Sequence, residues 1–303
     1  MTTPAFYRGS GLLFQSDIAL TEYTPADASD PDAVIETGER AAKAAADAEP
    51  QTWEYDGFQA SPLGPVIIVP DVAAYLVTGG NRIDVSPMPG GDPGMVRLYL
   101  IGSAIGMLFH QRGQVILHGA AVVQSSGITL FTGPSGAGKS TLAAHLAARG
   151  HAVLGDDTLP LDWEKGHAPR AWPGARVFKL CQDAADRLET AGQTRIAESY
   201  EKIFVENPCP GPETPVPLSE IVLLERTEAT PELTRMNGLE AVAIIARNTY
   251  RPEYLRLIGT EGRHFEQIAA LSAHVRTYRL ARPWDAARMD ETLDLLSEHW
   301  GAK

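Results

Sequence analysis

The sequence predicts an α/β fold: a phosphate-binding loop carried on a βαβ unit, preceded by a small β-rich module. Three observations predict it. The run GPSGAGKS, Gly133 to Ser140, lies between an apolar extended stretch, GITLFTG, and an Ala-rich helical one, KSTLAAHLAARG. HAVLGDD follows at once as a second strand ending in two aspartates. Earlier, from Trp53 to about Asp84, GPVIIVP, AAYLVTGG and NRIDVS are short extended pieces parted by Gly, Pro and Asn. The expected division is a module over residues 1–92 and a larger domain over 93–303.

At 303 residues the chain can bury a sizeable core, and 44% hydrophobic with 21% charged residues is ordinary globular composition, which excludes wholesale disorder. A net charge of -12 argues against nucleic acid as a partner, because phosphate backbones are held by clustered Lys and Arg. The acid is concentrated in residues 1 to 56, where 11 Asp and Glu face Arg8, Arg40 and Lys43. Two cysteines, Cys181 and Cys209, suit a reducing compartment. The first 20 residues lack the basic and apolar regions of an export signal, and the longest apolar stretch, Tyr99 to Phe109, is too short for a bilayer. The expectation is a soluble, cytoplasmic protein with no membrane partner.

Along the chain, PADASDPDAVIETGERAAKAAADAEP, about residues 25–50, carries almost no large apolar side chain and reads as a solvated helix or an excursion. Asp92 before Pro93 starts a helix that is apolar on nearly every side and stops at Gly113. QVILHGAAVV and ITLFTG are two strands with a turn at Ser125–Gly127. Downstream, RVFKLC, KIFVEN, SEIVLLER and HVRTYRL read as strands, and residues 208–217 as a five-proline loop. Residues 238–250 read as a helix presenting Leu239, Val242 and Ile245 on one face. The last helix starts near Asp285 and places Met289, Leu293 and Leu296 toward a core.

Gly133, Pro134, Ser135, Gly136, Ala137, Gly138, Lys139 and Ser140 satisfy G-x-x-x-x-G-K-[ST] completely. The glycines let the backbone curl until successive N–H groups face one anion, and the helix that begins there, through Thr141, adds its positive end. Lys139 would reach the β- and γ-phosphates of a nucleotide, and the Ser140 hydroxyl would ligate Mg²⁺. A right-handed crossover with parallel strands returns Asp156 and Asp157 to the mouth of that loop. Adjacent strand residues point to opposite faces, so the two acids should divide the labour, one serving the metal and the other orienting and deprotonating an acceptor hydroxyl. His118, ending the strand ILH, reads equally as a structural residue or as one placed beneath the phosphates. Basic groups for the transferring phosphoryl or an acidic substrate are offered by Arg170, Arg176 and Lys179 and by Arg247 and Arg251, with Arg176 and Arg251 the leading choices. Trp163, Trp172 and Phe178 read as core or groove wall.

These stretches, LHGAAVV, GPSGAGKS and ARGHAVLGDD, resemble the catalytic domain of bacterial HPr kinase/phosphorylase, with a Asp-Asp pair like that of phosphoenolpyruvate carboxykinases. The resemblance implies an ATP- and Mg²⁺-dependent serine kinase with His118, Lys139, Ser140, Asp156 and Asp157 on family positions, Asp156 with Ser140 at the metal and Asp157 as the base. PVPLSEIVLLER and ARNTYRPEYL are similar to HPr kinase-like proteins of lasso-peptide gene clusters, some of which phosphorylate the C-terminal serine of a precursor peptide. The expected partner is accordingly a peptide or small protein with an acceptor serine, and a homo-oligomer is compatible with the family. No counterpart of the family's signature loop follows the Asp pair. The rival readings are a small-molecule kinase and a nucleotide-binding regulatory module without transfer activity.

Overall fold

The computed structural model describes residues 4–49, 57–163, 167–188 and 192–301 of a mixed α/β chain. It divides into two compact units, one of Met1–Ile116, Arg195–Glu201 and Arg251–His264, the other of Leu117–Thr194, Lys202–Tyr250 and Phe265–Lys303. No described helix is long and apolar enough to cross a membrane.

The first unit is built on eight strands: β1 (Ala5–Gly9), β2 (Leu12–Ser16), β3 (Thr24–Ala26), β4 (Ala33–Thr37), β5 (Phe58–Ser61), β6 (Gly64–Val69), β7 (Ala73–Thr78) and β8 (Arg82–Pro87). Their order is β3-β1-β2-β4-β8-β7-β6-β5. The three extended pieces expected between residues 53 and 84 are β6, β7 and β8; Trp53 itself lies outside the described residues. Residues 25–50 are less solvated than their composition suggests. There β4 lies within the sheet, parallel to both β2 and β8, and helix α1 (Arg40–Ala46) packs on it. Ala41 and Ala44 are buried against Val66, Ala74 and Leu76, so α1 docks by close backbone approach and needs no large side chain.

Asp92 caps helix α2 (Pro93–Tyr99), its Oδ1 accepting from the Gly94 and Met95 amides at 2.8 and 3.0 Å. A π-helical turn, Leu100–Ala104, leads into α3 (Ile105–Gln111), buried over nearly its whole length, and Gly113 at φ 74° turns the chain out. Tyr75, fully buried, donates its hydroxyl to the Val96 carbonyl at 2.8 Å.

The second unit carries β9 (Ile116–His118), β10 (Ala120–Gln124), β11 (Gly127–Thr132), β12 (Val153–Gly155), β13 (Thr158–Asp162), β14 (Arg170–Ala171), β15 (Val177–Cys181), β16 (Gln193–Arg195), β17 (Lys202–Glu206), β18 (Val216–Arg226), β19 (Glu232–Met236) and β20 (Arg276–Arg282). Strands β15, β17 and β16 form a small sheet. The main one runs β12-β10-β11-β18-β14-β13-β9, with β20 parallel to β18 and β19 on its outer edge.

Here the simple βαβ expectation needs correcting. Helix α4 (Lys139–Ala148) does connect β11 to β12, but β10 lies between those strands and is antiparallel to both. The hairpin turn after β10 is tight enough for it to pair with β11, so β12 is placed one strand further out. Two antiparallel relations restore the direction, so β11 and β12 still end on the same edge. The core beneath α4 comprises Phe131, Leu142, Leu146, Val222, Leu224, Leu280 and Phe178, joined by Leu293, Leu296 and Trp300 of the C-terminal helix Met289–Gly301.

The helix Gly238–Arg247 shows a second difference. Its buried residues are Ala241, Ile244 and Ile245, whereas Leu239 is 88% exposed. At 100° per residue Leu239 lies about 200° from Ala241, on the opposite face from the one that packs.

Candidate active site

β11 is fully buried and ends at Thr132, and the phosphate loop leaves it directly. Gly136 and Gly138 take φ values of 83° and 80°, a left-handed region costly for any residue with a Cβ. The turn is closed by the Ala137 amide donating to the Pro134 carbonyl at 3.1 Å. Gly133 and Ala137 are buried, while Pro134, Ser135 and Gly136 form an exposed crest. Gly138 starts α4 with no side-chain cap, so the first amides of the helix, including those of Ser140 and Thr141, are not satisfied by a capping side chain. Such amides, with the positive end of the helix dipole behind them, suit an anion.

Lys139 is buried, and its Nζ donates to the carbonyls of Gly133 and Pro134 at 2.9 and 3.0 Å. The ammonium thus sits inside the curl of its own loop. Burial pushes its pKa down, against the opposing pull of Asp156 and Asp157.

Asp156 and Asp157 follow β12 and reach this loop. The Ser140 hydroxyl donates to Asp156 Oδ1 at 2.9 Å, and the Lys179 amide donates to Oδ2 at 3.1 Å. Asp156 is 6% exposed, and burial, then the neighbouring Asp157 charge, push its carboxyl up from 3.8 to about 6. Asp157 is half-buried and has a positive φ of 75°, which turns its side chain out of the strand register. Its carbonyl accepts from the Gly119 amide at 3.2 Å and from His118 Nδ1 at 2.8 Å. A carbonyl only accepts, so Nδ1 carries the proton and Nε2 is the acceptor of the neutral ring. Burial, first of all, holds the His118 pKa below its ordinary value, in keeping with that neutral form. The His118 backbone is fixed in turn by Thr132, whose hydroxyl donates to its carbonyl at 2.7 Å.

Lys179 was one of several basic residues the sequence offered and not the one preferred. The structure brings it in: its Nζ reaches Asp157 Oδ2 at 2.9 Å, so a single residue of β15 touches both acids, one by its amide and one by its side chain. The signal was the alternation in RVFKLC, where Phe178 and Leu180 are buried and Lys179 takes the other face. Arg176, the preferred residue, pairs instead with Glu213 in the proline-rich loop. Arg251 belongs to the first unit, where its guanidinium lies 5.3 Å from the Phe58 ring centroid and 3.9 Å from Glu253. Its φ is 44°. Trp172 donates to Asp162 Oδ2 at 3.2 Å, Trp163 donates to the His167 carbonyl at 2.8 Å, and Phe178 is core.

The donor set suits Mg²⁺: a hydroxyl and a carboxylate oxygen, both hard ligands, already adjacent, with a second carboxylate beside them. Among the described residues no group of three or more His, Cys, Asp or Glu could hold a metal, and Mg²⁺ does not require one. It is commonly held by one or two carboxylates plus substrate phosphates and water.

No protein-family model matches this sequence, and no curated protein matches it. Among solved structures the chain is similar to the Hpr(Ser) kinase/phosphatase from Coxiella burnetii, at 14% identity, with 61% of this chain and 89% of that chain covered and a TM-score of 0.31. A likeness at that TM-score decides neither activity nor substrate.

Proposed function

We propose that this chain is an ATP- and Mg²⁺-dependent kinase that phosphorylates a serine hydroxyl of a peptide or small protein, with the C-terminal serine of a ribosomal precursor peptide of the lasso-peptide type as the favoured acceptor. One observation carries the phosphotransfer reading. Lys139 and Ser140 of a complete phosphate loop meet Asp156 and Asp157 at the end of a strand that runs parallel to the loop's own, with Ser140 and Asp156 2.9 Å apart. The acceptor class rests on the resemblance of LHGAAVV, GPSGAGKS, ARGHAVLGDD and ARNTYRPEYL to kinases of that kind.

In this mechanism the loop amides and Lys139 hold the β- and γ-phosphates in place. Ser140 and Asp156 would hold Mg²⁺, which when bound would neutralise charge on the phosphate oxygens. Asp157 orients the acceptor hydroxyl and takes its proton as the serine oxygen bonds to the γ-phosphorus and the bond to the leaving ADP oxygen breaks. Lys179, 2.9 Å from Asp157 Oδ2, fixes that carboxylate in direction. Its positive charge would also help balance charge on the transferring group. His118 holds the Asp157 backbone through the Nδ1 contact.

The test is mass analysis of products after incubation with Mg·ATP and either peptides ending in serine or a panel of hydroxylated metabolites. A phosphate-mass adduct on the peptide that disappears in Lys139→Ala supports the proposal. An adduct on a metabolite alone would replace it with a small-molecule kinase, and ATP binding with an adduct on neither class would favour the regulatory module.

A further inference from the structure

The guanidinium of Arg282 lies directly behind the phosphate loop. Arg282 ends β20 and shares the inward face of that strand with the core residue Leu280. It is 3% exposed at a place where alternation calls for an apolar side chain. Its Nη2 donates to the Ala137 carbonyl at 3.3 Å and its Nη1 to the Pro283 carbonyl at 3.1 Å, while its buried Nε has no hydrogen-bond partner. Among the described residues no carboxylate pairs with it, and burial is the influence acting on its charge. Burial lowers its pKa to about 10, which leaves it a cation at neutral pH. A Cβ on Gly138 would stand 2.4 Å from Nη2, so the loop and the guanidinium are in close contact.

A buried cation that meets only carbonyl oxygens is costly to the folded chain. In a trans peptide the carbonyl and the following N–H point in opposite directions. Drawing the Ala137 carbonyl back toward Arg282 therefore turns the Gly138 N–H forward, the direction in which an anion is gripped. We infer that Arg282 is a positioning residue of the nucleotide site, setting the Ala137–Gly138 peptide from behind and supplying an uncompensated positive charge that a polyphosphate in the loop answers. This rests on the nucleotide reading above and adds to it a residue outside the phosphate-loop motif.

The experiment compares Mg·ATP and AMP binding by calorimetry for the wild type, Lys139→Ala, Arg282→Met, Arg282→Gln and Arg282→Lys, with the unfolding midpoint of each unliganded protein. Arg282→Met and Arg282→Gln should weaken Mg·ATP by about 10-fold or more, the worth of one interaction with a charged group. The loss for AMP should be smaller, because fewer phosphate charges are involved. Arg282→Lys, which keeps the charge, should stay within about 3-fold of wild type, a difference of under 1 kcal/mol. The Met and Gln variants should unfold no earlier than wild type, since each removes a buried unpaired charge. The inference is overturned if Mg·ATP binding is unchanged in both neutral variants, if AMP and Mg·ATP weaken equally, or if the Lys variant is as impaired as the Met variant. Should Met fail to fold, the Gln and Lys comparison decides alone. A wild type that binds no Mg·ATP refutes the nucleotide reading itself. One that binds, with Lys139→Ala impaired and Arg282→Gln unaffected, refutes this inference only.

Discussion

Replacing Asp156 by Asn should make the unliganded protein more stable relative to wild type as the pH rises. The folded carboxyl titrates at about 6 against an ordinary 3.8, because the group is buried and faces Asp157. That gap is worth about 3 kcal/mol. The folded pKa lies above the unfolded one, so the associated stability is fully present below pH 3.8 and lost as pH rises through about 6. Asn is neutral throughout and shows no such loss. It keeps an acceptor for the Ser140 hydroxyl but turns an amide donor toward the Lys179 N–H, at a pH-independent cost of about 1–3 kcal/mol. The decisive quantity is therefore the trend in the difference, which should move by about 2 kcal/mol in favour of Asn between pH 4 and pH 7. Urea unfolding of both proteins across that range measures it. A difference that stays flat would refute the claim that Asp156 carries an unfavourable buried charge in the absence of metal. Adding Mg·ATP should narrow the gap by stabilising wild type more than the variant.

Three further outcomes are expected. Asp157→Asn should leave Mg·ATP affinity within a few-fold of wild type while lowering phosphoryl transfer by about 10²-fold or more, measured as single-turnover product formation; equal transfer rates would remove the base role. Lys179→Met should shift the acid limb of the Mg·ATP-dependent pH profile upward, because the Lys179 ammonium is one of the groups that oppose the burial-driven rise of the Asp156 carboxyl, and it lies 2.9 Å from Asp157. An unmoved acid limb would show that the Lys179 charge does not control that titration. Ala41→Leu should cost about 1–3 kcal/mol in unfolding free energy, since Ala41 is fully buried where α1 meets the sheet; a neutral result would show that α1 tolerates displacement.

The parts of the site that were legible in sequence are those encoded locally. The phosphate loop spells its own geometry, Gly150 at φ 89° ends α4, and the strand HAVLGDD needs only a direction to bring its acids back to the loop. Direction survived even though β10 came between, because two reversals cancel. The unreadable parts depend on what packs where. Nothing local in PDAVIETGERAAKAAA marks a strand bonded on both edges or an Ala face close enough to a sheet to need no larger side chain. Leu239 had helical spacing with Val242, but which face is buried is set by the neighbours that Ala241 and Ile245 meet. Lys179 and Arg282 belong to strands far from the loop in sequence, so no spacing rule links them to it. In helix Glu261–Ser272, Phe265, Ile268 and Leu271 share helical spacing, yet Ile268 and Leu271 are fully buried while Phe265 is exposed, again a matter of which neighbours pack there.

The placement of β11 has a mechanical consequence. It is hydrogen-bonded on one edge to β10 and on the other to β18, and no residue of it reaches solvent. Freeing its amides means undoing two ladders together, so their exchange with deuterium should rank among the slowest in this unit. The loop is thus mounted on an anchored post, and its exposed part is the crest at Pro134, Ser135 and Gly136.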